Sequence, residues 1–301
     1  GHISWKLCTS EIFDYPKASE LYDLLIGAYE RSIASQYHLE LSGPVQKIYI
    51  AGDGIIRNLP FQALYDRDEE KWLVEKYDIH YLPDLQSFLL LEEPRTDYEN
   101  QLFVGVGNPK LQGLDLKTKF MRLFNTRGIA EREKIIQLSP LPETEDELKE
   151  ISDFFKNYKL FTKENANESE IRNSEIENAS VLSFATHAVE NITTDSYEVG
   201  LVLTPPENPT EQSNDGLLTR EEISSMNLNN TVVILSACNT SRGLYAGAET
   251  FTGLPKGFFE AGASSVIASM WDLDSYSAKV LSVLAMRIAT EQNRPIGESY
   301  N

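Results

Sequence analysis

The sequence predicts an α/β protein in which a mostly parallel sheet is flanked by helices. Two observations carry this. Val181-Leu182-Ser183-Phe184-Ala185-Thr186-His187 and Val232-Val233-Ile234-Leu235-Ser236-Ala237-Cys238 are both strand-length runs of small, apolar and β-branched residues, and each ends abruptly on one reactive side chain. Around them, strand-like runs alternate with amphipathic helical segments, the pattern of parallel strands joined by crossover helices.

Composition narrows the class. The chain has 301 residues and a mass of 34.0 kDa, enough for one large or two ordinary domains with sizeable cores. Its 41% hydrophobic and 10% aromatic content is that of a folded globular protein. A formal charge of −19 argues against nucleic acid as a direct partner, because phosphate binding needs clustered Lys and Arg, and it would steer a basic peptide inward. Only Cys8 and Cys238 occur, so no disulfide framework is implied and a reducing, cytoplasmic setting is expected. No run of about 18 apolar residues is present, so no membrane association is expected. The opening Gly1-His2 and the closing Asn301 give the expectation of a domain cut from a longer protein.

Taken in order, residues 18–37 place Leu21, Leu24, Leu25, Ala28 and Tyr29 at helical spacing, predicting an amphipathic helix. Val45 to Ala51 is a short strand running into the turn Gly52-Asp53-Gly54, and Ile55 to Pro60 is extended again. Trp72 to Leu82 alternates apolar and polar residues, which predicts a half-exposed or edge strand, and Ser87 to Leu91 opens a helix. Gln101 to Val106 is strand-like and stops at Gly107-Asn108-Pro109. Gly105 and Gly107 do not form a dinucleotide fingerprint, since Lys110 holds the third glycine's place. Residues 110–140 have weaker periodicity and carry Arg122, Arg127, Arg132 and Lys134, which marks a boundary segment.

From Pro142, the acidic run Glu143-Thr144-Glu145-Asp146-Glu147 fits a helix's first turn, where the dipole favours negative charge, and Leu148, Ile151, Phe154 and Phe155 line one face. A strand at Lys159 to Phe161 and a polar helix near Glu168 to Glu177 complete a βα step before the run that ends at His187. Gly200 to Leu203 is another short strand, and Thr204 to Asn214 a polar loop. Ser241 to Thr252, rich in Gly and Ala, reads equally as a close approach to substrate or as a connector. Leu254, Phe258 and Phe259 lie at helical spacing, Ser264 to Trp271 is a last strand, and Ser275 to Arg287 a helix. Four scattered His and no paired Cys form no ligand cluster, so neither metal nor cofactor is expected.

The chemistry follows from the two reactive ends. Adjacent parallel strands place their carboxyl ends together, in the crevice where α/β sheets bind ligands. A thiol and an imidazole meeting there form a nucleophile and its base, since a nearby imidazolium lowers a thiol pKa from about 8.5. Singly, a Cys ending a buried strand reads as a small core residue and a His as a structural one. The matched pair, His187 with Cys238, is what points to catalysis.

Ser183-Phe184-Ala185-Thr186-His187 and Leu235-Ser236-Ala237-Cys238-Asn239-Thr240 resemble the two signature blocks of the CHAT family, which belongs to the caspase and separase clan of cysteine proteases. The resemblance continues in Asp215-Gly216-Leu217-Leu218-Thr219, Gly257-Phe258-Phe259-Glu260-Ala261-Gly262-Ala263, Arg57-Asn58-Leu59-Pro60-Phe61 and Val106-Gly107-Asn108-Pro109, and so covers nearly the whole chain. It implies a caspase-like sheet, with residues 1–138 forming a pseudo-caspase-like supporting half and residues 139–301 the active half. The N-terminal strands carry no His or Cys at comparable ends.

The resemblance further implies a cysteine endopeptidase acting on a protein or peptide. Cys238 would attack the carbonyl, His187 would pass the proton to the leaving amine, and the backbone N–H groups of Ala188 and Cys238 would hold the oxyanion. The family usually has Gly where this chain has Ala188, which keeps the N–H but restricts φ. Asp272 and Asp274 fall where relatives build the primary specificity pocket, and Asp274 matches the acid that recurs there. A carboxylate at a pocket's base pairs with Arg, predicting cleavage after a basic residue and self-cleavage at Arg122, Arg127 or Arg132. Both aspartates also read as caps of the helix that follows. Relatives act as regulated effectors tethered to repeat or sensor domains, which here would lie outside the chain. The alternatives are an inactive signalling scaffold, whose one mark is Ala188, and another cysteine hydrolase such as an amidase.

Overall fold

A computed structural model describes residues 14–36, 47–52, 56, 59–90, 96–111, 138–192, 197–205, 216–236, 253–270 and 273–300. The chain divides into two compact units, Gly1–Leu90 with Asn301, and Leu91–Tyr300.

In the first unit the predicted N-terminal helix runs unbroken over residues 15–36, with a π-helical stretch Asp23–Gly27 between its α-helical parts Tyr15–Tyr22 and Ala28–Gln36. Strands β1 (Lys47–Ile50), β2 (Tyr65–Asp66), β3 (Lys71–Trp72) and β4 (Asp78–Tyr81) follow. β1 pairs with β4 in parallel, and β2 with β3 as a hairpin. Tyr22, Ile50, Phe61, Leu64, Leu73 and Ile79 form its core.

Trp72 to Leu82 is therefore not one strand: a helical turn, Leu73–Lys76, separates β3 from β4. The Glu75 carboxylate accepts from the Trp72 N–H at 2.8 Å and starts the turn, which carries the Lys76 ammonium to within 2.6 Å of the buried Asp66 carboxylate. Alternation within the stretch cannot reveal this, because the buried partner of Lys76, Asp66, lies outside it. His80, one place before the end of β4, stacks on Tyr49 with centroids 5.2 Å apart.

The second unit holds β5 (Leu102–Pro109), β6 (Asn157–Lys163), β7 (Val181–Ala185), β8 (Ala188–Ile192), β9 (Tyr197–Val202), β10 (Leu217–Thr219), β11 (Thr231–Leu235) and β12 (Ala263–Ala268). Five of them form a sheet of order β12-β11-β7-β5-β6 with every neighbouring pair parallel. β8, β9 and β10 form a separate antiparallel sheet. β5, which precedes the expected boundary at residue 138, is hydrogen-bonded between β6 and β7 and so lies in the sheet of the second unit. At the end of β5 a side chain on Gly107 would come within 2.7 Å of the Ala185 carbonyl oxygen, so the strand ends can approach only with glycine there.

Alternate residues of the parallel strands are buried on opposite faces. On one face Phe103, Val181, Ala185, Val232 and Ile234 pack with Leu148 and Ile151 of the helix Pro142–Ser152 and with Val283 and Met286 of the helix Ser275–Glu291. On the other, Val104, Leu182, Phe184, Val233 and Leu235 pack with Ile171, Ile223, Leu254 and Phe258 from three shorter helices. Burial on both faces explains why these strands read as largely apolar runs; each of the larger aliphatic and aromatic side chains contributes about 1.5–3 kcal/mol. Among the described residues, no helix is long and apolar enough to cross a membrane and no cluster could hold a metal ion.

Candidate active site

The two strands with reactive ends are neighbours. β7 and β11 run parallel with Val181 beside Val232 and Phe184 beside Leu235, and the Ser236 N–H extends the ladder to the Phe184 carbonyl at 2.9 Å. Along the chain, Cys238 follows Leu235 by the same step as His187 follows Phe184. The chain runs outward from β5 to β6 and then returns to β7 and on to β11 and β12. Its direction thus reverses beside β7, the switch point at which open α/β sheets bind ligands.

The backbone around His187 is held by β9. The Thr186 hydroxyl is buried and donates to the Val202 carbonyl at 2.6 Å, while the Val202 N–H donates to the His187 carbonyl at 2.8 Å. The half-buried ring places Nε2 at 2.8 Å from the Ser139 carbonyl oxygen. A carbonyl only accepts, so Nε2 carries the proton and Nδ1 is left as the basic nitrogen.

Ala188 opens β8, opposite Leu201. Because His187 and Val202 form a hydrogen-bonded pair, alternation makes Ala188 and Leu201 a non-hydrogen-bonded one, and the Ala188 N–H points away from β9. Ala188 is not among the residues of positive φ. Glycine's freedom is therefore not needed here, which removes the cost expected of alanine.

Beneath the end of β11 lies a polar group that the sequence reading missed. The Ser236 hydroxyl donates to Glu147 Oε1 at 2.5 Å and lies 3.0 Å from the Ser282 hydroxyl. Glu147 is fully buried on the helix Pro142–Ser152. Burial pushes its carboxyl up to about 7, against the opposing pull of Ser236, Ser282 and the charge of Lys279. The acidic run reads as a first turn favoured by the dipole, and Glu145, though largely covered, stays ionised there: Lys149, with Asn108 and Lys163, holds it near 2 against partial burial. Helical spacing carried a signal for Glu147, since Thr144, Glu147, Leu148 and Ile151 share the buried face. The Ser139 carbonyl, a backbone group, had none.

Asp274 is exposed and caps the helix Ser275–Glu291. It accepts from the Ser277 N–H at 2.9 Å and from the Ser277 hydroxyl at 2.6 Å. Cys238, Asp272, Arg122, Arg127 and Arg132 lie outside the described residues, as does the whole stretch Ser241 to Thr252. The chain matches the CHAT domain over residues 16–291. No curated protein matches it.

Proposed function

This chain belongs to the CHAT domain family, which is related to the caspase-like cysteine proteases, and from that premise we propose that it is a cysteine endopeptidase with His187 and Cys238 as its dyad. The observation that supports the reading is the parallel register of β7 and β11 beside the switch point, with the two reactive residues at equal steps beyond it.

In this reading His187 Nδ1 takes the thiol proton while the Ser139 carbonyl keeps the ring oriented through Nε2. The Cys238 thiolate attacks the peptide carbonyl carbon, and its oxygen is stabilised by the N–H groups of Ala188 and Cys238. The imidazolium returns its proton to the leaving amine; the imidazole then activates the water that releases the acyl group from sulfur. Ser139 fills the place of a third member without an acidic side chain.

The finer parts of the proposal are a cytoplasmic effector regulated by a sensor or repeat domain, a protein substrate cut after a basic residue, and self-cleavage at Arg122, Arg127 or Arg132. Asp274 is the favoured specificity carboxylate, with Asp272 second, and the net charge of −19 favours basic peptides. The test is cleavage of a peptide library by wild type, Cys238→Ala and His187→Ala. Each substitution is expected to lower turnover by at least about 10³-fold with the fold intact. Near-full turnover in either variant overturns the dyad. Matched substrates with Arg, Asp or Leu before the cut, run with wild type and Asp274→Ala, decide the specificity; equal cleavage of all three ends that assignment.

A further inference from the structure

One helix refers to both reactive strand ends. Ser139, just before the helix Pro142–Ser152, orients the His187 ring through its carbonyl, and Glu147, within that helix, accepts the Ser236 hydroxyl at the end of β11. Ser236 is tied twice more, by its N–H to Phe184 of β7 and by its hydroxyl to Ser282 of the helix Ser275–Glu291. That second helix is itself bound to the first by Ser275 to Glu143 and by Lys279 to Glu150 at 2.7 Å.

Stability does not account for a carboxyl at this place. Glu147 Oε2 is buried with no hydrogen-bond partner among the described residues, while its neighbours Leu148 and Ile151 fill the same face with apolar side chains. A buried carboxyl with an orphaned oxygen costs more than an apolar side chain of similar size. Among the described residues no cation forms an ion pair with it: β5, β7 and β11 carry no ionisable residue, Lys159 and Lys163 of β6 are paired with Glu175 and Glu145, and Lys279, whose charge favours the ionised form, is paired with Glu150.

We propose that Glu147 is a positioning residue: by accepting the Ser236 hydroxyl it anchors the end of β11, from which the chain runs on to Cys238. The segment whose Ser139 sets the imidazole thereby also sets, through the helix it leads into, the strand that leads to the thiol. The inference deepens the dyad reading and relies on it for the identity of the thiol.

The test uses the full chain and iodoacetamide as the thiol probe, following alkylation of Cys238 by mass spectrometry with Cys8 as internal reference. At pH 6.5 an unassisted thiol is only about 1% ionised, so loss of the imidazole's influence shows as a fall of about tenfold or more in the Cys238 rate. Glu147→Met and Ser236→Ala are expected to give that fall with Cys8 unchanged, and Glu147→Met to do so with an undiminished melting temperature. Glu147→Gln, which keeps an acceptor, and Ser236→Thr, which keeps the hydroxyl, are expected to restore most of the rate. Should Glu147→Met fail to fold, Ser236→Ala decides alone. If Glu147→Met and Ser236→Ala stay within about twofold of wild type while His187→Ala falls, the positioning role is overturned and the dyad stands. If they fall while His187→Ala does not, the dyad is overturned and the positioning role stands. Unchanged rates in all three overturn both.

Discussion

Asp66 of the first unit and Glu147 of the second are both buried carboxyls, and the two are treated in opposite ways. Asp66 is 5% exposed and Glu147 0% exposed. Burial pushes both upward, but Asp66 meets the Lys76 ammonium at 2.6 Å and the Tyr22 hydroxyl, which outweigh it and hold the carboxyl at about 2. Glu147 meets two serine hydroxyls and rises to about 7. What differs is the partner: a cation stabilises the ion that burial penalises, whereas a neutral hydroxyl offsets only part of the penalty. The Lys76 group, which also reaches Glu30 at 3.3 Å and Glu69 at 3.2 Å, is thus a structural clamp between helix, hairpin and turn. Glu147 opposes stability at a place where two reactive strand ends are held.

Removing the cation breaks the contrast most severely. Lys76→Met leaves Asp66 buried without its counter-ion, and a loss of about 3–5 kcal/mol is expected in urea unfolding. A loss under about 1 kcal/mol would show that the clamp is solvated in practice.

Glu147→Gln should do the reverse. Its folded pKa of about 7 lies above the ordinary 4.5, so the ionised form opposes folding as pH rises between those values. The variant is expected to match wild type below pH 4.5 and to be more stable above pH 7 by about 3 kcal/mol, read from melting curves across that range. An unchanged difference with pH would place Glu147 among ordinary acids.

Asp66→Asn tests the same linkage with the sign inverted and a smaller size. Here the folded value of about 2 lies below 3.8, so the stabilisation is complete above pH 3.8 and vanishes as pH falls through 2. About 2 kcal/mol should be lost at pH 7, and acid titration of both proteins should bring the curves together.

Asp274→Ala gives the exposed limit of the series. A carboxylate in water that accepts from Ser277 is worth about 1 kcal/mol as a cap, and the melting temperature should fall by only a few degrees. An arginine preference lost together with that small change would add recognition to capping.

The sequence by itself determined the parallel sheet and the meeting of its two marked strands. Val181 to Ala185 and Thr231 to Leu235 are buried throughout and, Ser183 and Thr231 apart, apolar because both faces are covered, and that need is written locally in residue type. The helix starting at Pro142 was equally legible, since a proline and acidic side chains satisfy a first turn wherever it packs. Only the tertiary structure decided that β5 joins the sheet of β7 and that Trp72 to Leu82 breaks into a turn aimed at Asp66. It alone decided, too, that the Ser139 carbonyl orients His187 and that Glu147 lies beneath Ser236. These are contacts between groups far apart in sequence, or of backbone atoms that every residue shares, and a pattern of side-chain types records neither.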